Sequence, residues 1–335
     1  MGIKQVTGFI PVVSALLGNT LVTIIKLAAA LASGSSSMFA ETVHSFADTL
    51  NQALLLLGLG RSLKKPDARF EYGYGNERFF WALVSACGIF FVGAGVAAYN
   101  AISTFSMPHT IEFSPILFIV LSLSLIIEFY TFLVAAGNLK HAFPEATWGE
   151  RLALADSSTL AVFLEDAVAV LGIIVASISI GLSYYTGNPL WDALGSMFIA
   201  ALLVGVAVTL IIKNRSYLIG HAMPTDLQEE VIEFLQADPA IEKVIDFKSV
   251  TLGFRKYRIK CEVEFNGTAL FREAYQRSSL RDQFEEVKDD FEEFKRFSVD
   301  YADRIPRLMG KRIDEIEGKL RKRFPSIWHI DIEIN

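Results

Sequence analysis

The chain has 335 residues, a formal net charge of −6 and two cysteines. An acidic balance with no basic stripe argues against a nucleic-acid partner. Cys87 and Cys261 give neither a disulfide framework nor a cysteine metal knuckle. Hydrophobic residues make up 52% of the chain, but that average joins two unlike parts. Residues 1–213 hold apolar runs of about twenty residues, the length that crosses a bilayer as a helix. Residues 214–335 are charged and read as a small cytosolic domain.

Six spans are expected, at about 8–32, 36–60, 79–104, 114–136, 157–182 and 189–213. The first is not a signal peptide, because its apolar stretch is too long and another span follows at once. No presequence is expected ahead of it. Arg61, Lys64, Lys65, Arg69 and Arg78 follow span two, Lys140 and Arg151 follow span four, and Lys213 and Arg215 follow span six. The other three loops carry no Lys or Arg. This asymmetry places both termini on the cytoplasmic, or topologically equivalent, side. A bacterial inner membrane or an organelle membrane is expected.

Span two carries Glu41, His44, Asp48 and Asn51, spaced to share one helix face. A carboxylate in hydrocarbon costs roughly 2.5–3.5 kcal/mol on insertion scales and is tolerated where it faces protein, water or an ion. An imidazole and a carboxylate four residues apart form a metal-ligand pair, and both suit Zn²⁺. The same stripe can instead hydrogen-bond neighbouring helices.

Span four holds Glu128, a proton carrier or a partner for Lys26 of span one; Lys26 is expected to snorkel toward the outer end. Span five holds Glu165 and Asp166 near its middle, about one hundred degrees apart around the helix. Two adjacent acids there are hard to explain as packing. Glu112, Asp156 and Asp192 lie near span ends and read as interfacial. Gly88, Gly93, Gly95, Ala97 and Ala98 in span three, and Gly195, Ala200, Ala201 and Gly205 in span six, read as close-packing positions.

The soluble part begins with a helix over MPTDLQEEVIEFLQADP, with Thr225 as its cap. Two strands follow around a turn near Gly253 to Lys256. In the second, Ile259, Cys261, Val263 and Phe265 alternate with charged residues, which marks a half-buried strand. IWHIDIEIN alternates again as a third. Between them, 268–325 is helical, with Phe284, Val287, Phe291 and Phe294 on one face, then Ile313, Ile316 and Leu320. Its acidic clusters can trap metal or simply form a solvated face.

GSSSMFAETVHSFADTLNQALLLLG, FLEDAVAVLG, TGNPLWDALGS and KLRKRFPSIWHIDIEIN stand in that order along the chain. With six spans and both ends inside, they resemble the cation diffusion facilitator family, and most closely its mitochondrial zinc-exporter branch. The resemblance implies a six-helix transmembrane domain, 1–213, and a ferredoxin-like αββαβ cytosolic domain, 214–335, with a helical insertion at about 268–325. It implies a transport site on His44, Asp48 and Asp166, and a fourth ligand position that falls on Val162, which cannot bind metal. Glu165 is the nearest replacement, with Asn51, Glu128 or water as further choices. The family's second site, in the loop after span two, keeps Asp67 but has Phe70 and Tyr74 at its His positions, so it is expected to be absent or much weakened.

The implied activity is efflux of a divalent ion in exchange for protons, by a homodimer in the membrane lipid. Zn²⁺ is the expected substrate, with Mn²⁺, Co²⁺ and Fe²⁺ left open by the oxygen-rich ligands. A non-transporting sensor or scaffold, and a proton-coupled carrier of another cation, are the alternatives. No enzyme is expected, since the soluble part shows no nucleophile, phosphate loop or open zinc triad.

Overall fold

The computed structural model of the protein describes residues 9–106, 115–155, 157–274 and 280–335. Glu112 and Asp156 lie outside them. The chain divides into two compact units, Met1–Ile219 and Gly220–Asn335.

The first unit is helical. It runs through α1 (Phe9–Ser33), α2 (Ser36–Ser62), α3 (Glu77–Gly88), α4 (Gly95–Ser106), α5 (Pro115–Ala142), the short α6 (Trp148–Leu154), α7 (Ser157–Thr186) and α8 (Leu190–Ile219). A π-helical turn, Ile89–Ala94, joins α3 to α4 without a break. Among the described residues four helices are long and apolar enough to cross a membrane: Glu77–Ser106, Ile116–Ala142, Ser157–Thr186 and Leu190–Ile219. At 27 residues α2 has the length, but its polar stripe lowers its hydropathy. At 25 residues α1 also has the length. The helix α8 continues past the expected end at 213, to Ile219.

Helix α2 is the hub, packing on α1, α3, α4, α7 and α8. Small side chains let it do so: Ala40, Ala47, Ala86, Ala97, Ala176 and Ala200 build the core around Met38, Ile173, Ile199 and Leu203. A Cβ on Gly195 would fall 2.2 Å from Ser179 Oγ, so α7 and α8 meet backbone to side chain there. Gly93 similarly lies against Ala47. Gly88 and Gly205, read from sequence as packing positions, have nothing within 4 Å of the place a Cβ would take.

Asp192 departs from the interfacial expectation and is only 1% exposed. Its carboxylate accepts from the backbone N–H of Ser36 at 2.5 Å and of Ser37 at 3.1 Å, and from Ser35 Oγ at 2.9 Å. The first N–H groups of a helix have no partner within it and carry its positive end, so a carboxylate is drawn to them. Ser37 Oγ adds contacts to Ser179 Oγ at 2.9 Å and to the Asp192 carbonyl at 2.7 Å. The start of α2 is thus tied to α7 and α8.

The second unit runs α9 (Thr225–Gln236), β1 (Ile241–Gly253), β2 (Lys256–Phe265), α10 (Gly267–Ala274), α11 (Leu280–Val287), α12 (Phe291–Arg323) and β3 (Ile327–Ile334). Its sheet has the order β1-β2-β3, with β1 and β2 antiparallel and β2 and β3 parallel. Ile259, Cys261 and Val263 are fully buried, as their alternation predicts, and Ile330 and Ile332 of β3 join them. Val231 and Leu235 of α9 and Ile316 and Leu320 of α12 cover the same core.

Two helix boundaries differ from the sequence reading. Pro224, not Thr225, occupies the cap of α9, and no side chain caps that end. Asp290 starts α12 by accepting from the N–H groups of Glu292 and Glu293, which divides the helical stretch expected over 268–325. From there α12 runs unbroken through Pro306. Phe284, Phe291 and Phe294 stay 58%, 75% and 51% exposed, so the aromatic face read from sequence is not part of the core.

Asp192→Ala leaves two buried N–H groups and a hydroxyl without their acceptor, at a cost of about 1–3 kcal/mol for an unsatisfied buried group. A lower unfolding temperature of the detergent-purified protein is expected. An unchanged temperature would show that the cap adds no stability.

Candidate functional site

A helix that starts at Ser36 turns Glu41, His44, Asp48 and Asn51 to one side. That side is buried: Glu41 is 0%, His44 1% and Asn51 3% exposed. Helix α1 brings Lys26 to it, α5 brings Glu128, and α7 brings Glu165 and Asp166.

His44, Asp48 and Glu165 line one crevice with Ile89, Val168, Leu203 and Val206. The crevice is closed tightly enough that it admits no water-sized sphere. His44 Nε2 stands 3.4 Å from Asp48 Oδ2. The two are not aligned for a hydrogen bond, and among the described residues neither ring nitrogen of His44 has a hydrogen-bond partner, nor has Asp48 Oδ1. Buried polar atoms are normally satisfied, and those that are not call for an explanation.

Asn51 is engaged. Its Nδ2 donates to both oxygens of Glu165, at 2.7 and 2.6 Å, and its Oδ1 accepts from Ser85 Oγ at 2.6 Å. An amide nitrogen offers no lone pair, so in this arrangement Asn51 holds a carboxylate and turns no ligand atom toward the crevice. Asp166 does not line the crevice; it is half-buried and turned toward Glu128 and Thr131 of α5. Val162, one turn earlier on that helix, is 46% exposed and also outside the crevice. Among the described residues no group of three or more His, Cys, Asp and Glu side chains is gathered as a metal ion would need.

Lys26 departs from the snorkelling expectation. It is fully buried, and its Nζ donates to Ser45 Oγ at 2.8 Å and to Glu41 Oε2 at 3.3 Å, with Glu128 Oε1 at 4.0 Å. Two carboxylates inside the protein answer its charge, and the side chain has no need to reach water. Ser45 and Ser85 were not singled out from sequence. Their only signal there is a hydroxyl in an apolar run, which most often bonds its own helix.

In the loop after α2, Asp67 is fully occupied by its neighbours. Its Oδ1 accepts from the N–H groups of Arg69 at 2.9 Å and Phe70 at 3.0 Å, and its Oδ2 from the Tyr74 hydroxyl at 2.6 Å. The Tyr74 hydrogen bond, then the one from Arg69, holds the Asp67 carboxyl below the usual carboxylate range. Phe70 and Tyr74 pack ring to ring, with centroids 4.7 Å apart.

Comparison with known proteins places the chain in a family. The model of the cation efflux transmembrane domain matches residues 12–219. A Xenopus laevis protein named proton-coupled zinc antiporter SLC30A9, mitochondrial, is 36% identical over 96% of this chain and 59% of its own length. The Homo sapiens protein of the same name is 35% identical over 94% of this chain and 56% of its own. Metal tolerance protein C4 of Arabidopsis thaliana is 34% identical over 96% of this chain and 72% of its own. The chain therefore spans under three fifths of the length of the two animal relatives. Its long apolar helices and the family match make it an integral, multi-pass membrane protein, and the chain belongs to the cation efflux family.

Proposed function

We propose that this chain moves Zn²⁺ across a membrane in exchange for protons, through six spans formed by α1, α2, the α3–α4 rod, α5, α7 and α8, with both termini on the cytoplasmic or equivalent side. The observation that carries this reading is the set of buried atoms on His44 and Asp48 that have no hydrogen-bond partner among the described residues, in one crevice with the Glu165 carboxylate. Two relatives are named as proton-coupled zinc antiporters, which supports the same reading. In this proposal residues 1–213 form the transport domain and 214–335 a ferredoxin-like cytosolic domain that joins two copies.

Imidazole nitrogen and carboxylate oxygens make a zinc-type ligand set. All must give up protons to bind metal, so metal and protons compete for the same atoms. That competition is the exchange: loading the ion releases protons, and protons arriving from the other side release the ion. His44 and Asp48 hold the ion from α2. Glu165 joins from α7 through lone pairs that Asn51 leaves free, and Asp166 completes the shell or carries the proton. Mn²⁺, Co²⁺ and Fe²⁺ are weaker candidates, because imidazole and zinc suit each other. The chain acts as a transporter, not an enzyme.

Reconstituted into vesicles, the protein is expected to take up Zn²⁺ when a proton gradient runs the opposite way, and to slow when the gradient is collapsed. His44→Ala and Asp48→Ala should each abolish uptake while expression holds. Wild-type uptake in either variant would place the site elsewhere.

Glu165→Gln swaps a carboxylate for an amide. Residues that merely support a metal site typically cost 10–100-fold in affinity when changed, so a loss of at least about 10-fold in Zn²⁺ affinity is expected. Calorimetry at high pH reads this, and unaltered affinity removes Glu165 from the ligand set.

Asp67→Ala should leave Zn²⁺ stoichiometry and flux unchanged, since Asp67 serves its own loop. The loss of one bound ion per chain on that change would reveal a second site there.

A further inference from the structure

Lys26 Nζ sits where three oxygens from two helices converge. Ser45 Oγ of α2 is at 2.8 Å, Glu41 Oε2 of α2 at 3.3 Å and Glu128 Oε1 of α5 at 4.0 Å. Lys26 and Glu41 are both fully buried. The other oxygen of Glu41, Oε1, has no hydrogen-bond partner among the described residues. It rests where α7 has no side chain: a Cβ on Gly172 would lie 2.1 Å from it. Two carboxylates and a hydroxyl around one point form an oxygen donor set of the kind that hard divalent cations take. An ammonium is a compact point charge with three donors, and it can stand in such a set in place of a metal ion.

We propose that Lys26 is a tethered cation that permanently fills a second, carboxylate-lined cation position beside the transport site. It neutralises Glu41 and Glu128 from within the chain. The membrane unit therefore holds one divalent ion fewer than its carboxylates would otherwise accept, and the cargo stays with His44, Asp48 and the α7 acids. Lys26 thus sets ion stoichiometry without touching the cargo. The idea rests on the transporter reading above, but its test counts a difference between variants, whatever number the wild type holds.

The probe is Mn²⁺, which favours oxygen ligands, with bound ions per chain counted on the purified full chain at saturation. Lys26→Met is expected to bind one more Mn²⁺ than wild type. Lys26→Arg, which keeps a cation in place, is expected to bind the wild-type number. Adding Glu41→Gln to Lys26→Met should remove the extra ion. Lys26→Gln keeps a donor to Glu41 and is read in place of Lys26→Met if the latter does not fold, with the same extra ion expected. A folded Lys26→Met or Lys26→Gln chain with no extra ion overturns the proposal. So does an extra ion that survives Glu41→Gln. A wild type that takes up no Zn²⁺ would sink the transporter reading, and the Mn²⁺ difference would still decide the role of Lys26.

Discussion

A charge inside a membrane protein must be met by another group within a few ångströms, because little or no water is there to meet it. In this protein that constraint falls on α2. Its inward face carries Glu41, His44, Asp48 and Asn51, and the surrounding helices are arranged to answer each in turn. Lys26 of α1 answers Glu41. Asn51, steadied by Ser85 of α3, answers Glu165 of α7. Among the described residues, both ring nitrogens of His44, Asp48 Oδ1 and the second oxygen of Glu41 are left without a hydrogen-bond partner. A buried polar atom left over after such matching is costly, and an ion that binds there relieves the cost.

The two neighbouring acids of α7 have separate surroundings. Glu165 points to the crevice and is held by Asn51, while Asp166 turns to α5. In the proposed cycle this separation gives Glu165 to the ion and leaves Asp166 to complete the shell or carry the proton. Each oxygen of Glu165 has lone pairs to spare beyond its contact with Asn51, so in that cycle Asn51 can steady the carboxylate while it serves the ion. The π-helical turn between α3 and α4 borders the same crevice through Ile89, and such turns often mark functional positions.

The polar stripe can face inward only if α2 is fixed in rotation and depth. Asp192 does this at its first turn by taking two backbone N–H groups, and Gly195 allows the close approach of α7 to α8 that the serine contacts need. Gly172 of α7 leaves room for the Glu41 carboxylate of α2. The second unit has its own core, in which Ile259, Cys261 and Val263 are covered by α9 and α12, and Arg312 of α12 binds Asp238 at 2.8 Å beside the end of α9.

Much of this was legible in the order of residues. Long apolar runs, the spacing of the α2 stripe, the acids of α7 and the alternation of β2 are local patterns, and helix and strand periodicity turn them directly into faces. Resemblance over long motifs pointed to the family. What the residues alone left open was every choice between partners. Glu165 and Asp166 lie about one hundred degrees apart, and only the packing of α7 against α2 and α5 decides which faces the crevice. Lys26 has a stem long enough to reach water or turn inward, and the buried Glu41 of α2 with the half-buried Glu128 of α5 turns it inward. Asp192 looks like a span-end charge until the start of α2, 156 residues earlier in the chain, is brought against it. Helix periodicity is written in neighbouring residues, whereas the partner of a buried charge comes from a distant segment, and only the tertiary structure brings the two together.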